Sequence, residues 1–329
     1  MTVCVTGGTG FVGGFLVRTL LANGSAVRVL ARPSPKAEAL RSTGVEIVHG
    51  DLADADPIAR AVKGAATVYH LAAKVGSQGS RKDYLETNVA GTERVLNACA
   101  RHGVEQIVYV GSLAAYGPIS EGTLIDEDTP FDERPDQRDP YSESRIAADR
   151  LITSFAQRSG ISAVILRPGI IFGPGRELPL GILAFRLGRT NIVFAKPENR
   201  FPLNYVENLI DAMLMAANQG SGFRPFNIVD DDDLTLARYH QVKSSMDGTT
   251  TRYASPWPLR IAGPMTELLR PILPMGDLRL SSRQLERSLQ NRCYDTRRVR
   301  QQAGWKPLVA LPEAVRRTLE ARKTLTRLR

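Results

Sequence analysis

Val3-Cys4-Val5-Thr6-Gly7-Gly8-Thr9-Gly10-Phe11-Val12-Gly13 opens the chain, and the reading of this stretch decides the fold. Residues 3–6 form a short, largely β-branched run that reads as a strand. Gly7, Gly10 and Gly13 follow at a spacing of three, and an apolar pattern of helical period begins after them. A backbone without side chains at those positions turns tightly and brings its N–H groups against a pyrophosphate. The N-terminus of the following helix adds partial positive charge. Glycines also mark ordinary turns, so the strand before the loop and the helix after it give the motif its weight.

Working outward, further strand-like runs fall at 27–31, 45–48, 68–71, 107–111, 164–167 and 226–229, with helical patterns between them. One such helix spans 88–101, with Val89, Thr92, Leu96 and Cys99 on one face. The alternation argues a parallel sheet of βαβ units. The fold class is therefore α/β, a Rossmann-type doubly wound parallel sheet whose cofactor lies across the carboxyl ends of the strands. The rhythm breaks after about Gly173. Residues 1–175 are assigned to the dinucleotide-binding domain, with a return near 203–230. Residues 176–202 and 231–329 are assigned to a smaller C-terminal substrate lobe, ending in a helix that Pro312 starts and Val315, Leu319 and Arg322 continue.

Composition narrows the function classes. No run approaches the roughly 20 apolar residues of a membrane span, because charges and prolines interrupt the apolar stretch 257–275. Residues 1–6 show no basic region or cleavage site of a secretory signal. Cys4, Cys99 and Cys293 are too few and too scattered for a disulfide framework, which suits a reduced, cytoplasmic setting. Neither they nor the four histidines have metal-ligand spacing, so no metal is expected. The net charge of +9 is concentrated at the end, where residues 279–329 carry 14 Lys/Arg against 4 Asp/Glu. Nucleic acid or anionic lipid would suit such a tail. Without interleaved aromatics or a nucleic-acid motif, a solvated helical face and an anion-binding lobe account for it better.

The chemistry gathers at Tyr141-Ser142-Glu143-Ser144-Arg145 and at Ser112 in Tyr109-Val110-Gly111-Ser112. Tyr141 and Arg145, four apart on a helix, share a face. A tyrosine with a pKa near 10 is a poor base at neutral pH unless a cation favours its phenolate. With the glycine loop, these residues resemble the extended branch of the short-chain dehydrogenase/reductase superfamily, which carries Gly-x-x-Gly-x-x-Gly and Tyr-x-x-x-Lys. In pattern the chain is most similar to 3β-hydroxysteroid dehydrogenase and dihydroflavonol reductase-like members. It departs from them in placing Arg145 at the lysine position. An arginine keeps the charge and donors but cannot pass on a proton.

The resemblance implies Tyr141 as acid/base, Ser112 as the group orienting the reacting oxygen, and Arg145 as the fixed cation. It also implies cofactor contacts from Gly7, Thr9, Gly10, Phe11, Val12 and Gly13. Further contacts come from Asp51 and Leu52 beside the adenine, from Leu71, Ala72 and Ala73 in His70-Leu71-Ala72-Ala73, and from Asn88. Tyr141, Arg145, Pro168, Ile170 and Ile171 are expected around the nicotinamide. Strand 27–31 ends in Arg32 with no acid that would chelate a ribose 2′-OH, which favours NADP(H), with NAD(H) possible. The alternative for Arg32 is a solvated residue stacking on adenine. The resemblance further implies a homodimer through the helices that follow Asn88 and carry Tyr141, where Ile146, Leu151, Ile152 and Phe155 supply apolar surface. These four could equally pack into their own subunit's core. The leading function is an NAD(P)-dependent oxidoreductase acting on a secondary alcohol or ketone of a small apolar substrate. The alternatives are a nucleotide-sugar epimerase or dehydratase, or a cofactor-binding protein without catalysis. The competing reading of Arg145 is a surface ion pair with Glu143 or Asp149.

Overall fold

A computed structural model describes residues 1–327 except 77–78, 118, 121, 177, 181–183, 219–221 and 258–289. Most of the apolar stretch 257–275 and part of the basic C-terminal segment lie outside the described residues. Seven parallel strands form the central sheet: β1 (Thr2–Thr6), β2 (Ala26–Ala31), β3 (Glu46–His49), β4 (Thr67–His70), β5 (Gln106–Val110), β6 (Ser162–Pro168) and β7 (Phe223–Ile228). Their spatial order is β7-β6-β5-β4-β1-β2-β3. The order reverses beside β1, which opens a crevice between the carboxyl ends of β1 and β4, where doubly wound sheets take ligands.

Side chains alternate along each strand because the pleat has a period of two. On one face Val3, Val5, Val108, Val110 and Leu166 pack with Leu16, Val17 and Leu20 of helix Phe11–Ala22 and with Leu209 and Met213 of helix Val206–Ala217. On the other, Cys4, Val68, Ile107, Tyr109 and Ile165 pack with Ile58, Val62, Val95, Leu96 and Ile152. A sheet buried on both faces explains why its strands read as nearly continuous apolar runs.

The helix expected over 88–101 begins differently. A π-helical turn, Glu86–Ala90, leads into the α-helix Gly91–Arg101. A β-carbon on Gly91 would lie 2.8 Å from the Leu52 side chain, so glycine permits this close approach. Strand Leu203–Tyr205 pairs with Ile170–Phe172 in a separate two-stranded sheet, and the chain rejoins the central sheet at β7. A third apolar cluster, including Phe172, Phe201, Tyr205, Tyr239 and Val315, joins this region to helix Leu236–Asp247 and the terminal helix Leu311–Arg327. No described helix is long and apolar enough to cross a membrane.

Candidate active site

The glycine loop crosses the end of β1 in a conformation that its sequence requires. Gly7 has φ +76°, and a β-carbon there would sit 2.7 Å from the Ala72 nitrogen after β4. One on Gly13 would lie 2.1 Å from the Gly7 carbonyl oxygen. The Gly10 N–H donates to that carbonyl at 3.0 Å, closing the turn. Helix Phe11–Ala22 then starts with no side-chain cap and no acid in its first turn. Its first turn is therefore without a capping side chain or a competing acid, in a field that favours an anion.

The neighbouring wall is built from buried polar contacts. Thr6 Oγ1 lies 2.7 Å from His70 Nδ1, and the other His70 ring nitrogen lies 2.9 Å from Thr92 Oγ1. Burial and then the Arg145 charge lower the His70 pKa to about 3, so the ring is neutral. Asn88 is buried and clamps the loop after β4, accepting from the Lys74 N–H at 2.7 Å and donating to the Lys74 carbonyl at 3.1 Å. It also donates to Ser144 Oγ at 2.8 Å, tying that loop to the helix of Tyr141. Leu71, Ala72 and Ala73 are half-buried along this loop.

Helix Pro140–Ser159 begins with Pro140 at its first position and Asp139 as its cap, accepting from the Ser142 N–H at 2.9 Å. The cap sets the first turn, and with it Tyr141, against the end of β5. Ser112 follows β5, and its Oγ accepts from the Ala114 N–H at 3.1 Å. Arg138 steadies that turn by donating to the carbonyls of Ala114, at 2.8 Å, and Ala115, at 3.2 Å. Ser112, Tyr141 and Arg145 come together. Burial pushes the Tyr141 pKa up, but the Arg145 charge and hydrogen bonds from Ser112 and Arg145 outweigh it. The phenol is held below the ordinary tyrosine value.

Arg145 is only 5% exposed. Its Nη1 donates to the Tyr109 hydroxyl at 3.0 Å and to the Val110 carbonyl at 3.4 Å. The surface ion pair does not form. Glu143 pairs with Arg81, and Asp149 is fully buried, with its Oδ2 accepting from Arg167 Nε at 2.8 Å. Arg145 Nε is buried and lacks a protein partner among the described residues. An unsatisfied buried donor is costly, and a ribose hydroxyl of a bound dinucleotide is a fitting acceptor. The glycine cradle and this donor both fit a dinucleotide cofactor.

Other expected contacts are distributed unevenly. Pro168 is buried, while Ile170 and Ile171 are half-buried beyond β6. Gly169 between them donates its N–H to Asn204 Oδ1 at 2.7 Å, and a β-carbon there would meet the Pro202 carbonyl at 2.3 Å. Thr9 and Phe11 lie half-buried to either side of Gly10, with Val12 beyond. Arg32 is exposed at the end of β2, its Nε 3.6 Å from Asp51 Oδ2. Leu52 is buried in the core beneath Gly91. Tyr109, Arg138 and the Asp149–Arg167 pair escaped the sequence reading. Tyr109 stood in the Ser112 motif without a role of its own, and Asp149, four residues beyond Arg145, was placed by spacing on the surface.

A family model described as NAD dependent epimerase/dehydratase family matches residues 3–229. The chain belongs to this family. Among named relatives of the family, a 2-alkyl-3-oxoalkanoate reductase of Stenotrophomonas maltophilia is 35% identical over 222 residues, covering 66% of this chain and 65% of that one. The chain thus spans just under two thirds of that reductase's length. The human sterol-4-alpha-carboxylate 3-dehydrogenase, decarboxylating, is 26% identical, covering 99% of this chain and 89% of the relative. The solved structure of MoeE5 in complex with UDP-glucose and NAD is similar, with a TM-score of 0.73, 25% identity, and coverage of 99% of this chain and 100% of that one. Both the expected fold and the family resemblance are borne out. The family is NAD dependent, and the two relatives named above are a reductase and a dehydrogenase.

Proposed function

We propose that this family member is a dehydrogenase/reductase interconverting a secondary alcohol and a ketone, with Tyr141 as the acid/base. The observation that carries this reading is the meeting of Ser112, Tyr141 and buried Arg145 at the end of β5, with the tyrosine held below its ordinary pKa. A bound nicotinamide supplies or accepts the hydride. In the oxidative direction the Tyr141 phenolate takes the hydroxyl proton, and in the reductive direction the phenol returns it to the carbonyl oxygen. Ser112 Oγ accepts from the Ala114 N–H and gives its one proton to Tyr141 in the free protein; on substrate binding that proton turns to orient the reacting oxygen between them. Arg145 remains charged throughout and stabilises the phenolate without exchanging a proton.

The substrate class we assign draws on the names of the two relatives. A 2-alkyl-3-oxoalkanoate and a sterol-4-alpha-carboxylate oxidised at carbon 3 both place the reacting carbon β to a carboxylate. We therefore assign a 2-substituted 3-oxo or 3-hydroxy acid with a large apolar part. The second reading, a nucleotide-sugar epimerase, draws on the likeness to MoeE5 with UDP-glucose. For the cofactor we favour NADP(H), with NAD(H) bound more weakly. The support is the exposed Arg32 and the absence of an acid at the end of β2.

A homodimer in the cytoplasm completes the proposal. Ile146 and Ile152 are buried within their own subunit, so the apolar surface such a dimer would cover is that of the part-buried Leu151 and Phe155. The purified protein should oxidise NADPH with a 2-alkyl-3-oxoalkanoate. Interconversion of UDP-sugars without that oxidation would replace this reading with the second.

A further inference from the structure

A planar guanidinium serves as a fixed cation only if its orientation is held, whereas an ammonium is a compact charge that need not be aimed. What holds Arg145 is therefore a separate question from what Arg145 does. Its helix brings it beside Tyr141, but a long side chain on a helix retains several rotamers. The remaining constraint comes from β5. Tyr109, 1% exposed, accepts from Arg145 Nη1 at 3.0 Å, and the guanidinium carbon lies 5.9 Å from the centre of the Tyr109 ring. Tyr109 lies three residues before Ser112, so one strand end delivers both contacts to the helix.

The surroundings leave Tyr109 as the anchoring side chain. His70, with ring centroid 5.7 Å from that of Tyr109, is neutral and has both nitrogens engaged. Asp149, one turn beyond Arg145, gives Oδ2 to Arg167; its Oδ1 makes no hydrogen bond among the described residues, so Asp149 acts on Arg145 through charge and supplies no contact that aims the guanidinium. Arg167 is occupied with Asp149, the Tyr116 hydroxyl at 2.7 Å and the Glu127 carbonyl. Tyr141 is the group to be served. We infer that Tyr109 is a positioning residue, whose hydroxyl and ring hold the Arg145 guanidinium against Tyr141. This rests on the role proposed for Arg145 above.

The test needs no substrate. Ultraviolet tyrosinate absorbance of the full-length protein is titrated against pH. The first proton loss is assigned to Tyr141 by its disappearance in Tyr141→Phe. Tyr109→Phe keeps the ring and removes a phenol whose own pKa burial raises to about 12, so the Tyr141 step stays visible. The step should move up by about one unit, a tenfold weaker phenolate at a given pH. In an Arg145→Lys background, Tyr109→Phe should move it by less than about a third of that, since a compact ammonium needs no aiming.

An unmoved step in Tyr109→Phe, or equal shifts in both backgrounds, overturns the positioning role. If Arg145→Met also leaves the step unmoved, the role of Arg145 falls too. A shift in Arg145→Met without one in Tyr109→Phe removes Tyr109 alone. Urea midpoints confirm that each variant is folded, and Tyr109→Leu serves as the second variant, expected to shift the step at least as far.

Discussion

Replacing Arg145 by methionine removes the cation that stabilises the Tyr141 phenolate and roughly conserves the side-chain stem. The guanidinium carbon lies 5.3 Å from the centre of the Tyr141 ring. Taking that as the charge separation, with an effective dielectric constant of about 20, Coulomb's law gives about 3 kcal/mol in favour of the phenolate. That is about two pKa units, or about a hundredfold less phenolate at a fixed pH below the midpoint. The sign follows from the chemistry. Oxidation requires the phenolate, so its rate rises with pH through the Tyr141 pKa, and losing the cation moves this limb upward. The assay is kcat/KM for oxidation of a 2-alkyl-3-hydroxyalkanoate across pH, paired with the tyrosinate titration. Both curves should shift together by about two units, a difference set by the Coulomb energy above. Arg145→Lys should shift them far less. A limb in Arg145→Met that coincides with the unmutated protein's would refute the electrostatic argument.

Further outcomes follow from the same geometry. Tyr141→Phe should lower turnover by about 10²–10⁴ while NADPH affinity, followed by its fluorescence, stays nearly unchanged; undiminished turnover excludes Tyr141 as the acid/base. Arg32→Ala should erase most of the preference for NADPH over NADH, a change of about 1.5–3 kcal/mol, and calorimetry showing equal binding before mutation would dismiss Arg32 as the discriminator. Gly13→Ala drives a methyl group into the Gly7 carbonyl, 2.1 Å away, so dinucleotide binding should be lost, and retained fluorescence enhancement would contradict the cradle. Sedimentation equilibrium should find a dimer, and a monomer at micromolar concentration would assign Leu151 and Phe155 wholly to their own core.

The parallel sheet was legible because burial on both faces leaves an unmistakable pattern, in which Val3-Cys4-Val5 feeds two cores at once. The glycine loop was legible because backbone crowding admits no other residue at Gly7 or Gly13. Helix period alone placed Tyr141 and Arg145 on one face. Contacts between distant parts of the chain were not readable. Arg167 meets Asp149 from 18 residues away, Tyr116 meets Asn227 across 111, and Asn227 donates its N–H to Glu127 across 100. Such pairs depend on which strand ends neighbour which, and no local spacing records that. Asp149 is instructive, because its spacing from Arg145 matches a common surface ion pair. Only the fold turns that side of the helix inward toward β6.

The sheet order has a consequence for synthesis of the chain. β6 is buried along all seven of its residues, yet its outer neighbour β7 begins only at residue 223. A chain emerging from the ribosome therefore carries β6 as an open, apolar edge until some 55 further residues have been made, a span read from the two strand boundaries. Unpaired edges of this kind recruit other strands. At about 5–20 residues per second the exposure lasts several seconds. Truncation between residues 168 and 223 would make it permanent, so fragments ending in that interval should aggregate through this edge.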